Sequence, residues 1–349
     1  EEYFVTPPMK ISPTTGKLTY AFAKTDKEFT ALLEHPDEDV QVLVAARIGT
    51  KSTLAETRAL RFVHTSQRGV LPVYLAHWGA KTTGRLSGGN KMNWQNIPVR
   101  GAARELRNCI VAPKGCKVVV GDSSNIELRC TMVMAGQTDA VEKIRYYDAL
   151  GDEATSDMYC DFASKLCGRE VANSEEDYQD RLLGKVSMLS LQYGSAYATF
   201  MQMARMMAKL DIPTAEAKRI VAMYRRTFSK VPELWHYCSD VILPAIHNGN
   251  TLVSVDKLGW FTTTKDGFSL PGMPGVVYKN LRKSREGEWI YDMGPREVKI
   301  YGAKCVENLM QHAARQIVMW QTALVHRTYP VALSVHDEMV CVVPEDEAE

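Results

Sequence analysis

Two short apolar runs near the end of the sequence enclose a polar tip, and this pattern constrains the fold most strongly. Residues 331–335 (VALSV) and 339–343 (MVCVV) flank the tip at 336–338 (HDE). Apolar runs of this length around a short polar segment are typical of a β-hairpin. An earlier β-branched run, residues 117–122 (KVVVGD), ends in a carboxylate and predicts a buried strand. The chain should therefore contain a sheet with acidic side chains at its strand ends.

Helical patterns dominate the rest of the chain. They cover residues 126–250 and a segment from about 304 to 327, and residues 1–75 look mostly helical after a polar lead-in. Gly, Pro and aromatic residues cluster at 258–295 and predict hairpins and turns. The fold class is therefore α+β. At roughly 100–200 residues per domain, the 349 residues predict two or three structural units.

The composition excludes several classes of protein. With 45% hydrophobic and 24% charged residues, the chain is neither a disordered tail nor a collagen-like fibre. No apolar run approaches the roughly 18 residues of a membrane helix. The eight cysteines include no CxxC pair, which argues against a zinc knuckle or a disulfide framework. Reduced thiols predict a cytoplasmic location, the host cytoplasm if the protein is viral. Both ends of the sequence suggest a portion of something longer.

The net charge of +1 argues weakly against a nucleic-acid partner. The distribution of charge is more informative, because residues 81–129 contain nine basic and only three acidic residues. Acidic residues elsewhere in the chain therefore cancel this locally basic tract in the net charge.

Asp122 and Asp337 each follow an apolar run, where a carboxylate is costly to desolvate unless a cation or hydrogen-bond donors meet it. Brought together they would repel, and a divalent metal is the usual remedy. Oxygen ligands without His or Cys favour Mg²⁺ or Mn²⁺ over zinc. Such an arrangement suits two-metal phosphoryl transfer. The alternative is structural, with one carboxylate capping a turn and the other forming a salt bridge.

A second candidate feature is a stripe of residues at four-residue spacing, namely Arg181, Lys185, Leu189 and Tyr193. This spacing places them along one slowly drifting face of a helix. The two cations could hold a triphosphate and the ring could stack on a base. Gly184 within the stripe costs about 1 kcal/mol relative to Ala. The alternative is an ordinary amphipathic helix with a solvated basic end.

Taken in order, these segments resemble the three catalytic motifs of family A DNA polymerases. Residues 122–129 (DSSNIELR) resemble the first motif, Arg181, Lys185 and Tyr193 the second, and residues 336–338 the third. Supporting stretches occur at residues 83–87 (TGRLS), 93–100 (NWQNIPVR) and 307–311 (ENLMQ). The resemblance covers nearly the whole chain and is closest in character to bacteriophage members.

The resemblance implies a right-hand polymerase fold, with an antiparallel β-sheet palm, helical fingers and a partial thumb. Residues 1–75 would be the C-terminal part of the thumb and its return to the palm. Residues 76–135 and 255–349 would form the first and second parts of the palm, and residues 136–254 the fingers.

The resemblance also implies roles for single residues. Asp122 and Asp337, with the backbone carbonyl of Ser123, would hold two Mg²⁺ ions, with Mn²⁺ as the alternative. Lys185 would donate a proton to the leaving pyrophosphate, and Glu338 would assist beside the metals. The nucleotide would contact Arg181, Lys185, Leu189, Tyr193, Glu127 and Tyr159, with Glu127 as the steric gate against a 2′-hydroxyl. The primer–template would contact Arg85, Asn96, Gln311 and His336.

Three positions depart from the family pattern. Leu189 stands where the family usually has Phe or Tyr, so it cannot stack and should alter nucleotide affinity or 3′-hydroxyl discrimination. Tyr159 replaces a His near the phosphates, which leaves fewer charged contacts. Ser123 replaces an aromatic residue, with a mild effect expected because that position contributes its carbonyl.

The implied function is template-directed DNA polymerisation in DNA replication, in which a primer 3′-hydroxyl attacks the α-phosphate of a dNTP and releases pyrophosphate. The implied partners are a DNA primer–template and dNTPs, without a membrane. The enzyme would be a monomer that works with a separate exonuclease, helicase or processivity factor, since residues 1–75 contain no acidic exonuclease constellation.

Three alternatives stay open at this point. A single-subunit RNA polymerase would share the chemistry, although Glu127 and residues 95–98 (QNIP) argue against it. Reverse transcription is compatible with the same motifs. A catalytically silent nucleic-acid-binding remnant is the third alternative, and the intact catalytic positions argue against it.

Overall fold

The computed structural model describes residues 5–12, 16–23, 26–49, 54–70, 72–89, 92–97 and 104–348. Pro98, Val99 and Arg100 of the supporting stretch at 93–100 lie outside these residues. The chain divides into two compact units, Glu1–Pro72 and Val73–Glu349. Within the part of the chain that is described, no helix is long and apolar enough to cross a membrane.

The first unit begins with a hairpin that the sequence patterns did not predict, formed by β1 (Met9–Ile11) and β2 (Leu18–Tyr20). The predicted helices follow as α1 (Lys27–Ala31), α2 (Glu38–Gly49) and α3 (Leu54–Ser66). A small core holds the unit together, with Phe29, Val40 and Val44 packed against Phe22, Leu32 and Ile48.

The second unit contains the predicted strand and hairpin. After the short pair β3 (Leu75–Ala76) and β4 (Ser87–Gly88) and helix α4 (Glu105–Asn108) comes β5 (Cys116–Asp122). It forms an antiparallel sheet with β12 (Val331–Val335) and β13 (Glu338–Pro344), in the order β12–β13–β5. The register pairs Glu338 with Asp122. The acidic end of β5 therefore lies beside the hairpin tip, as the sequence predicted.

The prediction that β5 is buried is wrong. Val118, Val119 and Val120 are 39%, 38% and 53% exposed. The reason is that β5 is the outer strand of its sheet within the described residues, and its side chains alternate between two faces that are both partly open. A β-branched run reports strand geometry, and the packing around it decides burial.

Helices dominate the middle of the second unit, as predicted. They are α5 (Ile126–Ala135), α6 (Thr138–Leu150), α7 (Met158–Cys167), α8 (Tyr178–Leu191), α9 (Tyr197–Ala208), α10 (Thr214–Thr227), α11 (Lys230–Tyr237) and α12 (Leu243–His247). A π-helical turn at Cys238–Ile242 joins the last two. Two antiparallel three-stranded sheets follow, from β6 (Thr262–Thr264), β7 (Gly267–Leu270) and β8 (Met273–Val277), and from β9 (Arg282–Lys283), β10 (Trp289–Met293) and β11 (Arg296–Lys299). Helix α13 (Gly302–Val325) follows and leads into β12 of the first three-stranded sheet.

One apolar core connects these elements and fixes the helices against each other. It extends from Leu128 on α5 through Phe162 on α7 and Leu191 on α8 to Leu309 on α13. The contact between α7 and α8 depends on Gly184, because a Cβ there would lie 2.3 Å from the carbonyl oxygen of Tyr159. The glycine that weakens α8 as an isolated helix is what permits this close packing.

Candidate active site

A cavity of about 610 Å³ lies between the hairpin tip, the start of α5, helices α7 and α8, and α13. Its wall contains most of the residues selected from the sequence, namely Arg85, Asp122, Glu127, Tyr159, Lys185, Leu189, Gln311, His336 and Asp337. Residues from all three motifs therefore meet around one space.

Four of the five remaining selected residues stand beside this wall. Ser123, Arg181, Tyr193 and Glu338 contact wall residues or their immediate neighbours, as described below. Asn96 is exposed in a 3₁₀ turn, Trp94–Asn96. Its neighbour Gln95 is only 8% exposed and lines the cavity, although it was not selected from the sequence.

The carboxylates meet at the end of the sheet. The backbone N–H of Ser123 donates to the carbonyl oxygen of Asp337 at 2.9 Å, which ties the end of β5 to the hairpin tip. Burial raises the pKa of Asp122 above its ordinary value, and the charge of Asp337 adds to this, while Lys185 opposes it. Burial likewise raises the pKa of Glu338, opposed by Arg107, whose Nη2 lies 3.4 Å from Oε1. Negative charge at this edge is therefore only partly compensated.

This edge fits a hard divalent cation, but as an open site. Within the described residues, no group of three or more His, Cys, Asp or Glu side chains is arranged to enclose a metal. Mg²⁺ usually binds through one or two carboxylates together with water and substrate phosphates. Asp122, Asp337 and the carbonyl of Ser123 offer oxygen donors of this kind. A cation at this edge would offset the repulsion between Asp337 and Asp122, which together with burial raises the pKa of Asp122.

Helices α7 and α8 are joined at the cavity by Asp157, which caps α7. Its Oδ1 accepts hydrogen bonds from the N–H groups of Tyr159 and Cys160, both at 2.9 Å. Its Oδ2 accepts from Arg181 on α8, at 3.1 Å from Nε and also from Nη2. One carboxylate therefore orders the start of α7 and holds the first cation of the predicted stripe.

Tyr159 supports both cations of the stripe. The Arg181 guanidinium lies 5.8 Å and the Lys185 ammonium 5.7 Å from the centre of its ring, within the range of cation–π attraction. The Tyr159 hydroxyl donates to Oδ1 of Asn125 at 2.6 Å, and burial raises the Tyr159 pKa. The predicted loss of a charged contact at this position is thus accompanied by an aromatic support for the cations.

Glu127 is the centre of a second network. The Tyr193 hydroxyl donates to its Oε2 at 2.8 Å, and Nη1 of Arg85 lies 3.4 Å from its Oε1. Burial and then the charge of Glu127 raise the pKa of Tyr193 well above its ordinary value, so the hydroxyl stays protonated and can donate. Nη2 of Arg85 also lies 3.4 Å from Nδ1 of His336. Glu127 therefore connects the turn after α8 to the hairpin tip. The prediction that Tyr193 lies on the helix is wrong, because α8 ends at Leu191.

Two residues that shape the site have left-handed backbones, Asn125 at φ 54° and His336 at φ 57°. Non-glycine residues adopt this region infrequently, with Asn and His among the more tolerant. Asn125 precedes α5 and points its side chain to Tyr159, and His336 forms the turn before Asp337. The sequence contained no glycine to mark either position.

Several residues that build the site were missed. Asp157 had the available signal of an Asp directly before an apolar helical pattern. Gln321 accepts a hydrogen bond at 2.6 Å from the hydroxyl of Ser123, 198 residues away. Arg107 and Arg315 had no signal in the sequence, because their roles depend on neighbours that are distant along the chain.

Comparisons with known proteins identify the family of this chain. The DNA polymerase family A model matches residues 7–253. DNA polymerase I of Synechocystis sp. is 25% identical over 275 residues, 77% of this chain and 25% of that protein. DNA polymerase I of Pseudomonas aeruginosa is 28% identical over 276 residues, with the same shares. The DNA polymerase of Bacillus phage SP02 is 22% identical over 264 residues, 70% of this chain and 38% of that protein.

A solved structure shares the fold. The POL domain of Pol1 from M. smegmatis, in complex with DNA primer-template and dNTP, aligns with a TM-score of 0.52 at 21% identity. The alignment covers 98% of this chain and 52% of that one. The chain spans about a quarter of the length of the bacterial DNA polymerase I relatives. The bacteriophage character stays a prediction, because bacterial relatives match at least as well. The motifs, the α+β fold and the family match together establish that the chain belongs to DNA polymerase family A.

Proposed function

We propose that this chain is the nucleotidyl-transfer part of a template-directed DNA polymerase, which adds dNTPs to a primer 3′-hydroxyl and releases pyrophosphate. The observation that carries this proposal is the cavity where Asp122 and Asp337 share a wall with Lys185, which is near enough to oppose the rise in the Asp122 pKa. Two carboxylates that could hold metal ions, together with a lysine ammonium in the same cavity, suit the transfer of a nucleotidyl group from a metal-bound triphosphate.

In this proposal residues 1–75 are the C-terminal part of the thumb and its return to the palm. Residues 76–135 and 255–349 are the two parts of the palm, and residues 136–254 are the fingers. The partners are a DNA primer–template and dNTPs, which are also the ligands of the mycobacterial relative.

Asp122, Asp337 and the carbonyl of Ser123 would hold two Mg²⁺ ions, or Mn²⁺ in their place. Such ions activate the primer hydroxyl and neutralise the leaving phosphate. Asp122 and Asp337 would orient the reacting groups, and Glu338, held by Arg107, would have an accessory role at the same edge.

The helical side of the cavity would bind the triphosphate. Arg181 and Lys185 would contact its oxygens, and Lys185 would donate a proton to the pyrophosphate. Lys185 suits this role because no carboxylate lies within 4.0 Å of its ammonium among the described residues. Leu189 would lie against the sugar without stacking on it, and Tyr159 would keep both cations in place.

Glu127 would occupy the space that a 2′-hydroxyl needs, with Tyr193 bracing it through the hydrogen bond at 2.8 Å. Arg85 and Gln311 would contact the minor groove at the primer end, where every base pair offers an acceptor at purine N3 or pyrimidine O2. His336 would lie near the primer terminus and Asn96 near the template.

The decisive experiment is primer extension by Asp337→Asn. We expect extension to be lost while binding of the primer–template persists. The substitution removes a metal ligand but leaves the basic side chains of the cavity unchanged. The control is Asp148→Asn, since Asp148 is bound to Arg129 on the surface and is absent from the cavity wall. Extension by Asp337→Asn at the wild-type rate would refute the assignment.

A further inference from the structure

Arg315 is a cation in the cavity wall that has no role in the proposed reaction. It lies on α13, one turn beyond Gln311, and is half-buried. Among the described residues, the hydrogen-bond partners of its guanidinium are an amide and an imidazole. Nη1 donates to Oε1 of Gln316 at 3.0 Å, and Nη2 lies 3.4 Å from Nδ1 of His77. Its Nε is buried and has no hydrogen-bond partner in the part of the chain that the structure describes.

The other arginines around the cavity differ from Arg315 in having carboxylate partners. Arg85 is paired with Glu127, and Arg181 is held by Asp157. Among the described residues, no carboxylate lies within 4.0 Å of Arg315. Burial lowers the pKa of Arg315, and no charge on the described residues opposes this effect. A desolvated cation without an anion is costly in free energy, so an anionic ligand would relieve the cost.

The guanidinium is supported by an aromatic platform. It lies 5.4 Å from the centre of the Trp78 ring, and the His312 ring meets Trp78 edge-on at 5.8 Å. Trp78 has a left-handed backbone at φ 57°, which is uncommon for a bulky residue. Gly84 packs under the ring so closely that a Cβ would lie 3.0 Å from three of its atoms. The surrounding structure therefore holds this ring, and Arg315 with it, in a defined place.

We propose that Arg315 binds a backbone phosphate of the DNA duplex next to the primer terminus. This inference rests on the proposed function. The position follows from Gln311, one helical turn earlier on the same cavity-lining face. A phosphate is favoured over a base edge because it supplies the missing negative charge, whereas minor-groove acceptors are neutral. Its oxygens would also supply an acceptor for Nε.

The test is the salt dependence of primer–template binding by the full chain, measured without Mg²⁺ or dNTP. Each protein–phosphate contact contributes about 0.9 to the slope of log affinity against log salt concentration. We expect Arg315→Gln to make this slope about one unit less steep and to weaken binding about tenfold at low salt. Arg315→Lys should keep the slope.

The matched control is Arg219→Gln, because Arg219 is paired with Glu216 and does not line the cavity. It should leave the slope unchanged. Weaker binding by Arg315→Gln with an unchanged slope would assign Arg315 to a base edge and overturn the proposal. A lower melting temperature with unchanged binding would make Arg315 structural and overturn it equally. If the wild-type chain extends primers but Arg315→Gln has no effect, only this inference fails. If the wild-type chain does not bind primer–template, the proposed function fails as well.

Discussion

The two sides of the cavity are prepared for their ligands in opposite ways. On the helical side, Arg181 has a carboxylate partner in Asp157, and Arg181 and Lys185 both lie near the Tyr159 ring. On the sheet side, burial and the neighbouring Asp337 raise the pKa of Asp122, and burial raises that of Glu338. The cations are thus stabilised before any ligand arrives, whereas the carboxylates are held together at a cost in folding free energy.

Among the substitutions that test this difference between the two sides, we expect the largest loss of activity from one on the sheet side. Asp122→Asn should reduce primer extension by about 10³-fold or more, since metal stabilisation of the transition state is worth several kcal/mol. The same substitution should raise the free energy of unfolding of the metal-free protein only slightly, because the repelled charge that it removes is exposed and screened by solvent.

Chemical denaturation with and without Mg²⁺ measures both parts. Mg²⁺ should stabilise the wild-type protein and have little effect on Asp122→Asn. A variant that is less stable than the wild-type protein without metal would show that Asp122 already has enough compensation, and the contrast between the two sides would disappear.

Glu127 joins the two sides, and its loss should have an intermediate effect. Glu127→Ala should reduce discrimination against ribonucleotides by about 10- to 200-fold, because it opens the space for one small group. Incorporation of rNTPs and dNTPs by the same preparation measures this. Glu127→Gln is the matched control, since it keeps the size and an acceptor for Tyr193. Unchanged sugar selectivity in Glu127→Ala would remove the steric-gate role.

The smallest effect is expected at Asp157 on the helical side. Asp157→Asn keeps a good helix cap for α7 but removes the charge that holds Arg181. The KM for dNTP should rise several-fold while kcat changes less, because the triphosphate must then order a loose guanidinium. Asp157→Ala should lose about a further 1 kcal/mol of stability with the cap. A lower KM in Asp157→Asn would mean that Asp157 competes with the nucleotide for Arg181.

The features that the sequence predicted are those encoded by local patterns. The hairpin around Asp337, the strand ending in Asp122 and the helical stripe from Arg181 to Leu189 each follow from spacing within a few residues. Tyr193, which the same spacing placed on the helix, lies in the turn after it. Their meeting at one cavity followed from the family resemblance, because spacing alone does not relate segments 200 residues apart.

The features that the sequence did not predict depend on neighbours that are distant in the chain. Arg181 is 24 residues from Asp157, and Arg315 is 238 residues from His77. These distant contacts decide whether an arginine has a carboxylate partner. The sequence alone therefore could not distinguish the paired Arg181 from the unpaired Arg315. The exposure of β5 has the same origin, since the sequence shows a strand but not what covers it.

Gly184 has a consequence for motion in this site. Because α7 and α8 touch through backbone at this residue, they cannot slide past each other without a steric clash. Any closing movement should therefore carry Tyr159, Arg181 and Lys185 together as one rigid body, with the hinge outside the two helices. Amide hydrogen exchange should then be equally slow in the facing turns of α7 and α8, with or without nucleotide.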